Sequence, residues 1–297
     1  MQLALGTVQF GLDYGVSNQA GRCPPDEVGR ILASARRYGI DLLDTAPAYG
    51  SAETTLSPFL RNSGPFRIVT KTPRPAAGAV RASFDASLQR LDQTKVYGLL
   101  VHDTDEFLGP AGSEIERSMQ ALKETGRVAK IGVSVYTGEQ IDGVLARFTP
   151  DLVQLPISVL DQRLRRSGAL RRLKDRGVEI HARSVFLQGL LLMAPDNLPR
   201  HLAGAAPIVT RFQSAARAAG LSPVAGALAF THRVAEIDYV VAGVCSAQEF
   251  EEVAEAAAAA RAADLPWDEF AVQDETLINP SLWPPKAAVQ QASANSR

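Results

Sequence analysis

The stretch G-I-D-L-L-D-T-A-P-A-Y-G, residues 39–50, decides the fold. Ile40, Asp41, Leu42 and Leu43 make a short, mostly apolar run behind Gly39, which fits a buried parallel strand better than a helix of its own. The run delivers an acid, Asp44, at its end and a tyrosine, Tyr49, in the loop just beyond. Two later runs end the same way: R-I-V-T at 67–70 delivers Lys71, and Y-G-L-L-V at 97–101 delivers His102. Consecutive strands thus carry ionisable groups at their carboxyl ends, the face of a parallel barrel on which catalytic groups collect.

The same alternation extends outward in both directions. Residues 3–6 read as the first strand, and a glycine-bearing loop follows to residue 21. Pro24, Pro25, Asp26 and Glu27 then open a helix, with proline and acids in the first turn and Val28, Ile31, Leu32 and Ala35 on one buried stripe. Further strands are predicted at 66–72, 97–101, 129–135, 152–159, 178–185 and 239–244. Helices fall between them, one opened by a Ser113/Glu116 capping box, one over 164–176, one opened by Ser222-Pro223 and one by a Ser246/Glu249 capping box. Strands alternating with helices through short right-handed connections predict an α/β fold, a single-domain (β/α)8 TIM barrel over residues 1–285. An open doubly wound sheet is the rival, weakened because no G-x-G-x-x-G follows the first strand. Residues 286–297, rich in Ala, Gln and Ser, are expected to be disordered. The chain enters its first strand at once, so the barrel floor is expected to be exposed or differently covered.

Length permits one such domain, since barrels run to about 250 residues as a unit. A hydrophobic share of 46% beside 21% charged residues fits a soluble protein with a large core. The net charge of −1 leaves no broad basic footprint for nucleic acid. The Arg/Leu alternation over 163–176 reads as a solvated helix face, with a phosphate patch as the lesser alternative. Cys23 and Cys245 are far apart and in no C-x-x-C pair, which argues against a disulfide framework or a zinc site and suits a reducing compartment. Neither a signal peptide nor a membrane-spanning run is visible, so a cytoplasmic protein is expected.

If Asp44, Tyr49, Lys71 and His102 converge, they can move a proton to a carbonyl. A free phenol, with a pKa near 10, is a poor acid, and a neighbouring ammonium favours its ionised form. Lys71 is placed to do this and Asp44 to hold Lys71. Tyr49 would then donate to a carbonyl oxygen, or accept from an alcohol, with His102 orienting the substrate. A hydride is the missing component, and a nicotinamide cofactor would carry it. A cofactor-free enzyme using Lys71 as a Schiff-base nucleophile is a further possibility, disfavoured by the acid beside the lysine.

These residues stand within D-T-A-x-x-Y-G-x-x-E (44–53), T-K (70–71), L-V-H (100–102), G-V-S (132–134) and V-Q-L-P (153–156), a set that resembles the aldo-keto reductases over nearly the whole chain. The resemblance implies a barrel that binds NAD(P)(H) without a Rossmann domain and interconverts a small carbonyl, whether aldehyde, ketone or sugar, and an alcohol. It implies Asp44, Tyr49, Lys71 and His102 as the catalytic tetrad. Gly6 and Thr7 would lie at the cofactor mouth, and Ser134 and Gln154 would bind the nicotinamide carboxamide. Ser184, Leu187 and Gly189 would lie in the loop over the pyrophosphate, and Gly243, Cys245, Glu249 and Glu252 in the last cofactor motif. Its likeness to bacterial members of sugar and polysaccharide metabolism is the nearest hint of a substrate.

Departures from that pattern bear on function. Val135 stands where an asparagine usually follows the serine, and Arg183 where an aromatic residue usually stacks on the nicotinamide. They motivate an alternative, a nicotinamide-binding regulatory or redox-sensing protein with little catalysis. The family as a whole points to NADP(H). At the two positions where a cation would meet the 2′-phosphate, however, this chain has Cys245 and Glu249, which pull toward NAD(H), with Arg183 and Arg261 as substitute cations. Gln9, Phe10 and the loop to Tyr14 are expected to wall the substrate pocket, and Trp267 and Trp283 either to join them or to pack over the barrel.

Overall fold

A computed structural model describes residues 1–62, 66–259 and 265–284. Residues 286–297 and Arg261 lie outside the described residues.

The strands are β1 (Gln2–Gly6), β2 (Leu42–Asp44), β3 (Arg67–Lys71), β4 (Val96–Val101), β5 (Val128–Ser134), β6 (Leu152–Pro156), β7 (Glu179–Arg183) and β8 (Tyr239–Gly243). They close into a barrel in chain order, every pair parallel, so the open doubly wound alternative is excluded. Closure aligns the carboxyl ends: Gly6 is in register with Asp44 on one side and Gly243 on the other. The strands read as apolar runs because both faces are buried. Ala4, Leu42, Val69, Leu100, Leu152 and Val241 fill the barrel interior, while Leu5, Leu43, Ile68, Leu99 and Val153 join the layer beneath the helices.

Helix Pro25–Arg37 begins as the sequence predicts, with proline and two acids in its first turn. Ser222 caps helix Pro223–Arg233 by accepting from the Ala225 N–H at 3.1 Å. Other expectations need correction. Helix Gly112–Glu124 starts one residue ahead of the predicted Ser113 cap, and no side chain caps it. The helix expected over 164–176 is two pieces, Arg163–Arg166 and Ala169–Lys174, interrupted at Gly168 with φ of 71°. The arginines there are not simply solvated. Arg163 pairs with Asp161 and Glu275, Arg165 with Asp268 and Arg172 with Asp142, so Arg163 and Arg165 clasp the segment that carries Asp268 and Glu275. Trp267 and Phe270, in that segment, are buried against Phe230 and Phe212, which makes Trp267 core rather than pocket wall.

Within the described residues no strand precedes β1. Polar side chains pointing in from the strand starts occupy the floor. Glu179 accepts from Tyr97 Oη (2.8 Å), pairs with Lys130 (2.6 Å) and contacts His181 Nε2 (2.8 Å), while Arg67 binds Asp41 and donates to Tyr239 Oη at 3.1 Å. Burial alone would raise the Glu179 pKa, but hydrogen bonds from His181, Lys130 and Tyr97 overrule it and hold the group at about 2.

A folded pKa below the ordinary 4.5 contributes stability that is present above that value and lost as pH falls through the folded one. Glu179→Gln should therefore lower the unfolding free energy by about 2–3 kcal/mol at pH 7. The deficit should shrink at pH 3, as urea unfolding curves at the two pH values will show.

Candidate active site

Asp44 ends β2, Lys71 ends β3, His102 follows β4 directly, and Tyr49 stands in the turn after β2. Lys71 Nζ donates to Asp44 Oδ1 at 2.7 Å and to the Thr45 carbonyl at 2.9 Å. Gln154 Nε2, reaching across the barrel from β6, donates to the same Asp44 oxygen at 2.8 Å. The Lys71 and Asp44 side chains are 1% and 6% exposed, so this is an ion pair withdrawn from water. The ammonium faces the Tyr49 ring, 4.8 Å from its centroid, and the His102 ring meets Tyr49 edge-on at 6.2 Å. The four groups named from the sequence do meet at one place.

Several neighbours hold that geometry. Thr7 donates from both its N–H and its hydroxyl to the Asp44 carbonyl, joining β1 to β2. Glu53, buried on helix Ala52–Asn62, accepts from Thr70 Oγ1 at 2.9 Å and pairs with Arg90, which anchors the helix after Tyr49 to the strand that carries Lys71. That explains the acid at the end of the D-T-A-x-x-Y-G-x-x-E motif. Gly11 lets the backbone before it pass directly over the turn, since a methyl group there would overlap the Tyr49 carbonyl and the Ser51 and Ala52 amides.

The electrostatics depart from the sequence argument in one respect. Tyr49 is pushed well above its ordinary value, first by burial and then by the charge of Asp44, with Arg183 and Arg74 opposing. Because the Lys71 charge is matched by Asp44 and faces the ring, the ammonium does not make this phenol acidic. Burial also lowers the Lys71 pKa, against the attraction of Asp44. His102 falls to about 2, chiefly by burial and then by the cations Lys71, Arg74 and Arg183, so it is neutral across the physiological range. Tyr49 keeps its proton there as well.

The other residues named from the sequence line the same mouth in part. Ser134 ends β5, and Gly6 and Gly243 end β1 and β8. Gln154 gives one amide hydrogen to Asp44, which leaves its second N–H and its oxygen for a carboxamide. Arg183 ends β7 and lies 4.1 Å from the Tyr136 ring centroid, donating to the Val135 carbonyl at 3.1 Å. Tyr136 and Arg74 are the residues that the sequence did not single out. Their strand-end positions were the available signal. Phe10, expected to wall the pocket, is instead fully buried in the core.

In the loop after β7, Ser184, Leu187 and Gln188 have positive φ (60°, 48° and 55°), as does Gly189 (89°). Non-glycine residues rarely adopt such angles, and their clustering is characteristic of ligand-clamping segments. The loop is tied to that after β1 through Ser17, whose N–H and hydroxyl both reach the Gln188 carbonyl at 3.3 Å. At the last motif, Cys245 N–H donates to Glu249 Oε2 at 2.7 Å, and Glu249 N–H donates to Ser246 Oγ at 3.1 Å, a capping arrangement at the start of helix Ala247–Ala259. Ala247 N–H donates to Glu27 Oε1 at 2.6 Å, and Glu252 accepts from Gln248 on the exposed side of the helix.

Among the described residues, some of the buried polar atoms without a protein partner belong to residues at this end of the barrel: Gln9 Oε1, packed against Gly243, Thr45 Oγ1 and His102 Nδ1. Buried polar groups are rarely left unpaired, so a polar ligand fits this mouth. The donor set suits a nicotinamide cofactor better than a metal, for which the described residues offer no cluster of His, Cys, Asp or Glu. No helix among them is long and apolar enough to cross a membrane.

A closed barrel with a tyrosine over a buried lysine and aspartate at its carboxyl face defines a class of barrel oxidoreductases. The profile of the Aldo/keto reductase family matches residues 2–272, and the chain belongs to that family. It is accordingly an NAD(P)-dependent oxidoreductase acting on carbonyl and alcohol groups of small molecules. It is similar to L-galactose dehydrogenase of Arabidopsis thaliana, 28% identical over 84% of this chain and 83% of that protein. It is also similar to NADH-specific methylglyoxal reductase of Escherichia coli, 25% identical over 54% of this chain and 56% of that one. In fold it resembles an aldo-keto reductase from Bacillus halodurans in its holo form (TM-score 0.73, 17% identity, covering 93% of this chain and 95% of that one).

Gly11→Ala should displace the Tyr49 turn and lower carbonyl turnover about a hundredfold, the scale of a misplaced reacting group. Steady-state kinetics, with circular dichroism to establish that the fold persists, will test this.

Proposed function

We propose that the chain reduces a small aldehyde or sugar carbonyl with NADH, Tyr49 giving the proton to the carbonyl oxygen. The observation that carries this reading is the buried Lys71–Asp44 pair beneath a protonated Tyr49, with neutral His102 edge-on to it. When bound, the cofactor supplies the hydride that no side chain can. Tyr49 holds the proton that the developing alkoxide needs, and holds it at any physiological pH because burial and Asp44 keep it there. His102, neutral, donates to the same oxygen without adding charge. Lys71, held by Asp44, packs against the Tyr49 ring and fixes its place. A phenol that keeps its proton suits reduction better than oxidation at neutral pH.

Gln154 and Ser134 are the residues that would hold the carboxamide, Arg183 the group beside the nicotinamide ring, and the strained 184–189 loop the cover of the pyrophosphate. Preference for NADH rests on the adenosine end. The Cys245 and Ala247 N–H groups at the start of helix Ala247–Ala259, which would otherwise attract an anion, are already taken by Glu249 and Glu27. The Glu27 carboxyl lies below its ordinary range because Ala247 N–H and then Arg30 hydrogen-bond it. Carboxylates there repel a 2′-phosphate and can accept from a ribose hydroxyl. The name of the Escherichia coli relative agrees with this preference. The substrate class draws on the L-galactose and methylglyoxal relatives, and a cytosolic site of action on the two thiols.

Tyr49→Phe should cut turnover of a test aldehyde by 100-fold or more while NADH affinity stays within a few-fold. Undiminished turnover would end the assignment, and unchanged binding with no turnover in either protein would favour a sensing role. Fluorescence titration of the unaltered chain should give tighter binding of NADH than of NADPH. The double change Glu27→Gln and Glu249→Arg should shift the ratio at least tenfold toward NADPH.

A further inference from the structure

We propose that Cys23 and Cys245 form a peroxide-oxidisable dithiol that closes to a disulfide across the seam between the first and last β/α units. The two are separated by most of the chain yet adjacent in space. Cys23 Sγ lies 3.4 Å from the Cys245 carbonyl oxygen and 3.7 Å from that of Val244, and the Cys245 side chain hydrogen-bonds the Cys23 sulfur. Both residues are thiols in this structure.

The seam around them is already aligned. Glu27 binds Ala247 N–H, Ser34 Oγ donates to Glu251 at 2.7 Å, Arg37 pairs with the same Glu251, and Tyr38 Oη donates to Glu255 at 3.0 Å. Cys23 and Cys245 stand at one end of this row of contacts between helices Pro25–Arg37 and Ala247–Ala259. These contacts hold the two segments side by side next to the cysteine pair. The proximity of the two cysteines and the seam contacts beside them carry the proposal, and its test needs no bound cofactor.

The two sulfurs differ in a way that divides the chemistry. Cys245 is half-buried and Cys23 is 3% exposed, so peroxide meets Cys245 first. Its thiol takes one oxygen from hydrogen peroxide, forming a sulfenic acid and releasing water. Cys23 loses its proton, and its thiolate attacks the Cys245 sulfur. The S–S bond forms as the S–O bond breaks, and the departing hydroxide takes up that proton as a second water. Two thiols are oxidised and one peroxide is reduced. In the reduced protein a hydrogen bond from Cys245 lowers the Cys23 pKa, while burial and the nearby Glu249 and Glu27 oppose.

The chain has only these two cysteines, so the test is simple. The reduced full-length protein is treated with stoichiometric hydrogen peroxide, its thiols are counted and its non-reduced tryptic peptides are weighed. Expected are a fall from two thiols to none, a chain lighter by two hydrogens, a Cys23–Cys245 linked peptide and a melting temperature raised by roughly 5 °C, all reversed by dithiothreitol. Cys23→Ser should leave a Cys245 sulfenic acid that dimedone traps, and Cys245→Ser should leave Cys23 slow to oxidise. Oxidation of the folded wild-type chain to sulfinic acid with the second thiol intact, or a linked peptide formed only after denaturation, would overturn the proposal without recourse to either variant.

Discussion

The ion pair of Lys71 with Asp44 is the constraint to which the rest of the site answers. Two opposite charges removed from water are costly unless their remaining hydrogen-bonding capacity is met. Here the Thr45 carbonyl and the Gln154 amide meet part of it, so β2, β3 and β6 must end at compatible heights. The barrel's closed register supplies that compatibility, and Thr7 and Glu53 hold the neighbouring backbone to it. An ammonium fixed in this way is also a poor nucleophile, which disfavours Schiff-base chemistry at Lys71.

The same pairing sets the state of Tyr49. Were Lys71 unpaired, its charge would stabilise the phenolate. With Asp44 beside it the local charge is balanced, burial dominates, and the phenol stays protonated. The cations that act against burial are Arg183 and Arg74, brought by β7 and the segment after β3. Arg183 sits over the Tyr136 ring, 4.1 Å from its centroid, with its charge opposing burial at the phenol.

At the opposite side of the mouth the chain spends its own carboxylates on a helix start. Glu27 comes from the first helical unit and Glu249 from the last, so the seam between the two units and the adenosine end of the proposed cofactor site are built from the same contacts. The thiol pair stands on this seam. The one seam thus joins closure of the barrel to the proposed cofactor preference and to the proposed thiol chemistry.

Much of this was written in local pattern. Apolar runs ending in Asp44, Lys71 and His102 identify strands and their functional ends because a parallel barrel buries both faces of each strand and leaves only its carboxyl end for chemistry. Charge balance was not legible. Whether Lys71 acidifies Tyr49 depends on Asp44 lying 2.7 Å away and on water being excluded, and neither is a property of spacing. The Ser113 cap failed because the preceding turn, not the motif, determines where a helix starts. Cys23 and Cys245 looked unrelated in sequence, since separation along a chain says nothing of distance once a barrel closes its first strand onto its last. The sequence by itself determined the order of the elements and which residues reach the carboxyl face of the barrel. Only the tertiary structure decided their protonation and their partners, because burial and long-range contact exist only after the chain has closed.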